Sequence, residues 1–135
     1  MAATLVDSNV LLDVLTEDPR WLDWSIEALA HAAEGGPLII NPVIYAEVSI
    51  RFSRVEDLEA ALPRQDFNRV AIPWAAAFLA GKVFVSYRRK GGARSSPLPD
   101  FFIGAHAAVD GLALLTRDVA RYHTYFPAVP VIAPR

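Results

Sequence analysis

Short apolar segments alternate along the chain with longer segments of helical periodicity. A short apolar run bounded by turn residues is typical of a buried strand, whereas apolar residues three and four positions apart indicate a helix. We predict strands at residues 4–6, 37–40, 67–72, 112–115 and 129–132. We predict helices at residues 8–15, 21–33, 43–52, 55–62, 73–89, 97–109 and 118–125. Strands that alternate with helices in this way form an α/β fold with a central, mainly parallel sheet of four to five short strands.

The composition limits the classes of protein to which the chain can belong. With 135 residues, of which 53% are hydrophobic, we expect a single domain over residues 1–135. The absence of cysteine excludes disulfide frameworks, thiolate zinc sites and cysteine nucleophiles. No signal peptide or long apolar run is present, so we expect a cytoplasmic protein that does not enter a membrane. The net charge of −2 disfavours indiscriminate nucleic-acid binding but leaves room for a local basic patch.

Two carboxylates follow predicted strands. Asp7 comes directly after the first strand, and Asp118 follows the strand at 112–115 after two residues. In open parallel sheets, functional groups collect beyond the carboxyl ends of the strands. Each acid has an alternative role as the cap of the helix that follows it. We expect Ser8 or Asn9 to cap the first helix, which would leave the Asp7 carboxylate free.

Two further carboxylates lie in helices. The helical neighbours of Glu47 are mostly apolar, so its side chain is predicted to face inward, where a carboxylate is costly unless it is paired or bound to a metal. The alternative is an ion pair with Arg51, one helical turn away. Asp100 lies in the first turn of a helix, where an acid also interacts favourably with the helix dipole.

The four acids, in this order, resemble the acidic motifs of the PIN-domain nucleases, and in particular of the VapC-type toxins of bacterial toxin–antitoxin pairs. The matching stretches are VDSNVLLDVL, NPVIYAEVS, LPDFFIGAHAAV and LLTRDVARYHTYFP, which extend over nearly the whole chain. The resemblance implies an α/β/α sandwich and an endoribonuclease that depends on Mg²⁺ or Mn²⁺. The positions that match the family's catalytic and metal-binding cluster are Asp7, Glu47, Asp100 and Asp118, and the polar residues that match its supporting positions are Asn9 and Thr116.

The implied chemistry suits these residue types. Clustered carboxylates repel each other, and a hard divalent cation with oxygen ligands relieves that repulsion. Such an ion activates a water molecule and stabilises the charge that develops at the phosphate. We expect Asp7 and Asp100 to be direct ligands. Glu47 and Asp118 are expected to be direct or water-mediated ligands, or to orient the attacking water.

Basic and aromatic residues suggest where partners bind. Arg94, Lys90 and Arg117 are weak candidates for contacts with RNA phosphates. The alternative for Arg117 is that it merely offsets acidic charge. Because charged residues make up only 21% of the chain, we expect a homodimer and a second interface for a VapB-like antitoxin. The tryptophans, Trp74 among them, are predicted to lie in the core or an interface rather than to stack on bases.

Two other functions are compatible with a single acid after the first strand. One is a haloacid-dehalogenase-like phosphatase with Asp7 as the nucleophile. Phosphatases of that kind usually carry a second acid two residues later, where this chain has Asn9. The other is a non-catalytic dimeric binding module, in which the acids are helix caps and surface pairs.

Overall fold

A computed structural model of the chain describes residues 2–93 and 98–135. The sheet consists of five strands: β1 Thr4–Val6, β2 Leu38–Ile40, β3 Asn68–Arg69, β4 Ala113–Leu115 and β5 Val131–Ile132. Every neighbouring pair is parallel, and the strand order is β3-β2-β1-β4-β5. The predicted α/β fold with a central parallel sheet is therefore confirmed.

The described residues also form seven helices: α1 Ser8–Leu15, α2 Leu22–Gly35, α3 Pro42–Ser49, α4 Val55–Ala61, α5 Trp74–Arg89, α6 Pro99–Asp110 and α7 Val119–Tyr125. The strand order runs outward from β1 in both directions, so right-handed crossovers place helices on both faces of the sheet. None of the helices in the described part of the chain is long and apolar enough to cross a membrane.

The two central strands end side by side. Val6 in β1 is paired with Leu115 in β4, and the backbone N–H of Asp7 donates to the carbonyl of Leu115 at 2.9 Å. The residues directly after these strands, Asp7 and Thr116, are therefore neighbours. The strand order reverses between β1 and β4, and this is the position in an open α/β sheet where binding crevices form.

The third strand is much shorter than residues 67–72, which the sequence predicts. The backbone N–H of Phe67 bonds to the carbonyl of Pro63, so Phe67 belongs to a turn. After β3, only Val70 continues the pairing, through its N–H to the Ile40 carbonyl at 3.0 Å. The apolar side chains near β3 thus pack at the sheet edge without extending the hydrogen-bonded ladder. The predicted start of the sixth helix at residue 97 lies outside the described residues.

Helix caps and close packing fix the elements that carry the acids. Asn41 caps α3, since its side chain accepts from the N–H of Ile44, and Pro42 occupies the first turn as predicted. In α6, Gly104 lies directly against the ring of Phe126, and a Cβ at that position would lie 2.3 Å from the ring. Glycine is therefore required where α6 meets the segment after α7.

Candidate active site

Asp7 is buried, with 3% of its surface exposed, at the junction of β1 and α1. Its Oδ1 accepts the backbone N–H of Ser8 at 2.7 Å, so Asp7 itself caps α1. The expectation that Ser8 or Asn9 would perform this role was wrong, because the extended backbone of Asp7 already places its carboxylate over the helix start. Capping uses one oxygen only, and Oδ2 points toward β4.

Two polar side chains orient Asp7 Oδ2. The Thr116 hydroxyl donates to it at 2.8 Å, and Asn9 Nδ2 lies 3.4 Å away. Thr116 Oγ1 in turn accepts from Asn9 Nδ2 at 3.2 Å and from the backbone N–H of Asp118 at 3.0 Å. Asn9 Oδ1 accepts the backbone N–H of Arg117 at 3.1 Å. The structure thus brings Asn9 and Thr116 together around Asp7, and this network fixes the turn that carries Asp118.

Glu47 in α3 faces the same site. The Ser8 hydroxyl donates to Glu47 Oε1 at 2.9 Å and lies 3.5 Å from Asp7 Oδ1. No ion pair joins Glu47 to Arg51 among the residues that the structure describes. The inward orientation predicted from its apolar neighbours therefore agrees with the contacts of Glu47.

Asp100 in the first turn of α6 is joined to Asp7 by a hydroxyl. The Tyr122 hydroxyl lies 3.1 Å from Asp7 Oδ2 and 3.4 Å from Asp100 Oδ1. Arg121 Nη1 donates to the other oxygen of Asp100 at 3.1 Å. Sequence reasoning missed Ser8, Tyr122 and Arg121 as site residues. A signal was present for Tyr122, which follows the predicted acid Asp118 by four residues, or about one helical turn.

Asp118 lies at the rim of the site. It is exposed at the start of α7, and its side chain makes no capping hydrogen bond. Its negative charge contributes to the raised pKa of Asp100. The structure thus places Asp7, Glu47 and Asp100 around the hydroxyls of Ser8 and Tyr122, with Asp118 outside them.

The electrostatics of the site reflect burial and mutual repulsion. Burial raises the pKa of Asp7, Glu47 and Asp100, and the negative charge of neighbouring acids raises each of them further. Burial also raises the pKa of Tyr122, as do the charges of Asp7 and Asp100. Tyr122 therefore stays protonated, and its hydroxyl donates a hydrogen bond to a carboxylate.

The donor set fits a hard divalent cation in chemistry, although its side chains do not converge as ligands in this arrangement. All four acids offer oxygen donors, which Mg²⁺ and Mn²⁺ prefer. In the part of the chain that the structure describes, no group of three or more acidic or histidine side chains is placed to hold a metal ion. The hydroxyls of Ser8 and Tyr122 bridge the carboxylates instead.

The basic residues singled out from the sequence have different surroundings. Arg117 forms a two-pronged ion pair with the buried Asp13, at 2.6 and 3.0 Å, which favours the alternative that it offsets acidic charge. Lys90 is exposed, and its Nζ lies 5.4 Å from the centre of the Tyr125 ring. Arg94 lies outside the described residues.

Comparison with known proteins identifies the family. The model of the PIN domain family matches residues 4–126. Search of the curated proteins gives no match.

Solved structures of low sequence identity share the fold over nearly their full length. A VapBC2 complex from Rickettsia felis, bound to a DNA fragment from its promoter, matches with a TM-score of 0.74 at 15% identity, covering 97% of this chain and 98% of that chain. VapBC-1 from nontypeable Haemophilus influenzae matches with a TM-score of 0.72 at 15% identity, covering 97% of both chains. FitAcB from Neisseria gonorrhoeae matches with a TM-score of 0.70 at 17% identity, again covering 97% of both chains.

The family match includes both central strands and the helices that carry the four acids. The match agrees with the resemblance of the four acidic sequence motifs to those of the PIN-domain nucleases. On the family match and the shared fold together, the chain belongs to the PIN domain family.

Proposed function

We propose that this protein is an endoribonuclease that depends on Mg²⁺ or Mn²⁺ and acts as the toxin of a toxin–antitoxin pair. One observation carries the proposal: within a PIN domain, the carboxylates of Asp7, Glu47 and Asp100 surround two bridging hydroxyls at the carboxyl edge of the sheet. Placing one buried and two half-buried acids close together is unfavourable without a cation, so their placement is explained best by a metal site.

The residues of this chain would prepare the site for hydrolysis of an RNA phosphodiester. A bound Mg²⁺ or Mn²⁺ supplies an activated water and stabilises charge on the phosphate. Asp7 and Asp100 would hold the ion, with Glu47 and Asp118 as further ligands or as groups that orient water. Thr116 and Asn9 keep Asp7 Oδ2 in one orientation through the contacts at 2.8 and 3.4 Å. Ligands that are oriented in advance lose less freedom when the ion binds.

Cleavage of a labelled RNA tests this proposal. Purified protein is incubated with a fluorescent single-stranded RNA in Mn²⁺ or in EDTA, and the products are separated on a gel. We expect cleavage in Mn²⁺ only, and a rate at least about 100-fold lower for Asp7→Asn and Asp100→Asn, as is typical when a catalytic group is removed. The matched control is Asp57→Asn, an exposed acid in α4 that should cleave like the parent. Equal cleavage by all four proteins would overturn the assignment.

Metal binding gives a second, independent readout. A ligand that binds only the folded state raises the melting temperature as its concentration rises. We expect Mn²⁺ to raise the melting temperature of the parent and of Asp57→Asn. We expect no such rise for Asp7→Asn and Asp100→Asn. The same upward shift in all four proteins would place the metal elsewhere.

We further infer a VapB-like antitoxin partner and a homodimer, in the cytoplasm where RNA is available. The solved structures that share the fold include VapBC complexes. In this chain, the α5 side chains of Trp74 and Phe78 are 93% and 69% exposed, which is unusual for large aromatic residues unless a partner covers them. Light scattering of the parent and of Trp74→Ser would test the dimer, since loss of a dimer interface lowers the measured mass.

The two alternative functions are less well supported by the contacts. A phosphatase of this kind usually carries a second acid two residues after the nucleophile, and this chain has Asn9 there, whose Nδ2 lies 3.4 Å from Asp7 Oδ2. A binding module in which the acids are caps and surface pairs requires contacts for Glu47 and Asp118 that the described residues do not form.

A further inference from the structure

An open cavity of about 370 Å³ lies beside the acid cluster. We refer to it as the tyrosine cavity, and it is lined by Tyr87, Asp118, Ala120, Arg121, Thr124 and Tyr125. Arg121 connects the cavity with the cluster, because its Nη1 donates to Asp100 Oδ2 at 3.1 Å. Asp118 forms part of the wall on the same side. A ligand in this cavity would therefore lie next to the candidate metal site.

The aromatic walls of the cavity are held in place from behind. The buried ring of Phe101 packs edge-to-face against Tyr87 and Tyr125, with ring centres 5.4 and 5.3 Å apart. Gly92 lies against the outer part of the Tyr87 ring, where a Cβ would approach to 2.2 Å. Neither tyrosine hydroxyl has a hydrogen-bond partner among the described residues, although both rings are only partly exposed. The rings thus offer a fixed apolar surface.

The charges at the cavity suit a ligand that has both an aromatic ring and a phosphate. Arg121 uses one of its N–H groups on Asp100 and has further donors directed away from that contact. The ammonium of Lys90 lies over the Tyr125 ring and belongs to a long, exposed side chain that can exchange this contact for a phosphate. Asp118 repels a phosphate from its own wall, so the phosphate would lie on the Arg121 side.

We propose that the tyrosine cavity binds one nucleotide of single-stranded RNA next to the phosphate that is cleaved, with its base on the tyrosine surface and its phosphate on Arg121 and Lys90. The proposal rests on the ribonuclease function proposed above and adds a substrate subsite to it. The volume of about 370 Å³ lies near the lower end of the range for small-ligand sites, roughly 300–1,000 Å³, and is enough for one nucleotide. Bases stack on aromatic side chains in this way with little dependence on sequence.

The test is RNA binding in EDTA, measured by fluorescence anisotropy of a labelled single-stranded RNA at several salt concentrations. Loss of one phosphate contact reduces the slope of log K against log salt by about 0.7 for a single strand. We expect this reduction for Arg121→Gln and for Lys90→Gln, and the parent slope for Arg121→Lys. Arg54→Gln is the matched control, since it removes one exposed arginine next to α4 and should bind like the parent.

The tyrosine surface is tested separately from the charges. Tyr125→Leu keeps an apolar side chain but removes the ring, so we expect roughly 5- to 150-fold weaker binding with the parent salt slope. Tyr125→Phe keeps the ring and should retain the parent affinity. Melting temperatures of all variants establish that they are folded before binding is compared.

Two results would overturn the subsite. One is parent affinity and slope in both Arg121→Gln and Tyr125→Leu. The other is equally tight binding of an acidic peptide, which would indicate a surface for protein segments. The experiments distinguish failure of the subsite from failure of the enzymatic function. If the parent cleaves RNA in Mn²⁺ but the variants bind RNA as the parent does, only the subsite is refuted. The expected binding pattern without cleavage in Mn²⁺ removes the enzymatic function and leaves the nucleotide subsite.

Discussion

The ion pair between Asp13 and Arg117 offers a sharp test of what holds the two central strand ends together. Asp13 lies in α1 and is 3% exposed, and it accepts from Arg117 Nε at 2.6 Å and Nη2 at 3.0 Å. The Ser25 hydroxyl donates to the same carboxylate at 2.8 Å. Because α1 begins after Asp7 and Arg117 follows Thr116, this ion pair links the two turns that carry the candidate site.

Replacement of Arg117 by glutamine would leave the carboxylate of Asp13 buried with Ser25 as its partner. Removing one member of a buried ion pair costs about 3–5 kcal/mol. The Arg117 side chain is 27% exposed, so water replaces part of the lost interaction, and we expect a loss of about 2–4 kcal/mol. For a domain of this size, each kcal/mol lowers the melting temperature by roughly 3–5 °C, so a drop of roughly 6–20 °C is expected.

Urea unfolding of the parent, Asp13→Asn, Arg117→Gln and the double variant measures the coupling between the two residues. Residues in direct contact give coupling energies of about 0.5–3 kcal/mol, and we expect a value in the upper half of that range. RNA binding by Arg117→Gln in EDTA should keep the parent salt slope, since this arginine is committed to Asp13. A stability within about 1 kcal/mol of the parent, together with a salt slope reduced by about 0.7, would refute this reasoning and assign Arg117 to a phosphate.

Three further predictions concern the site and its supports. Burial raises the pKa of Asp7, so the stability that its protonated form contributes is fully present below the unfolded pKa and is lost as the pH rises through the folded pKa. Calorimetry in EDTA should show the melting temperature of Asp7→Asn rising relative to that of the parent as the pH increases from about 4, the ordinary aspartate pKa. In urea titrations, Gly104→Ala should lower the free energy of unfolding by about 1–3 kcal/mol, because the added methyl group meets the Phe126 ring. The control Gly81→Ala has open space around its Cβ position and should raise the free energy of unfolding by about 0.5–1 kcal/mol. His106→Leu leaves the buried amide of Asn41 without its partner at 3.0 Å, and thermal unfolding should report a loss of about 1–3 kcal/mol.

The positions of Asp7 and Thr116 could be predicted from the sequence because they depend on local patterns. A parallel sheet built from very short strands fixes which residues follow each strand, and the register of β1 with β4 then makes those residues neighbours. The helical spacing around Glu47 likewise identified the side of α3 that faces inward.

The contacts that join the acids could not be predicted, since they depend on packing between distant segments. The hydroxyl of Tyr122 reaches Asp7 across 115 positions of the chain, and the Asp13–Arg117 pair spans 104 positions. Nothing in the sequence around Arg117 distinguishes a guanidinium that contacts RNA from one that pairs with a buried acid. The cap of α1 is a local exception, because the extended backbone of Asp7 decided that this residue, and not Ser8, caps the helix.

The bridging hydroxyls of Ser8 and Tyr122 reduce the repulsion between the three neighbouring acids. Both Ser8 and Tyr122 are neutral donors, and each has one proton for the two carboxylates within its reach. One carboxylate in each pair therefore lacks that hydrogen bond, and the repulsion between the acids is only partly relieved. Asp7 and Asp100 have further donors, because Thr116 and the backbone of Ser8 donate to Asp7, and Arg121 donates to Asp100. It follows that Glu47 is the least supported of the three acids, since the Ser8 hydroxyl at 2.9 Å is its single hydrogen-bond donor among the described residues. Its side chain is therefore the one expected to move when a cation binds.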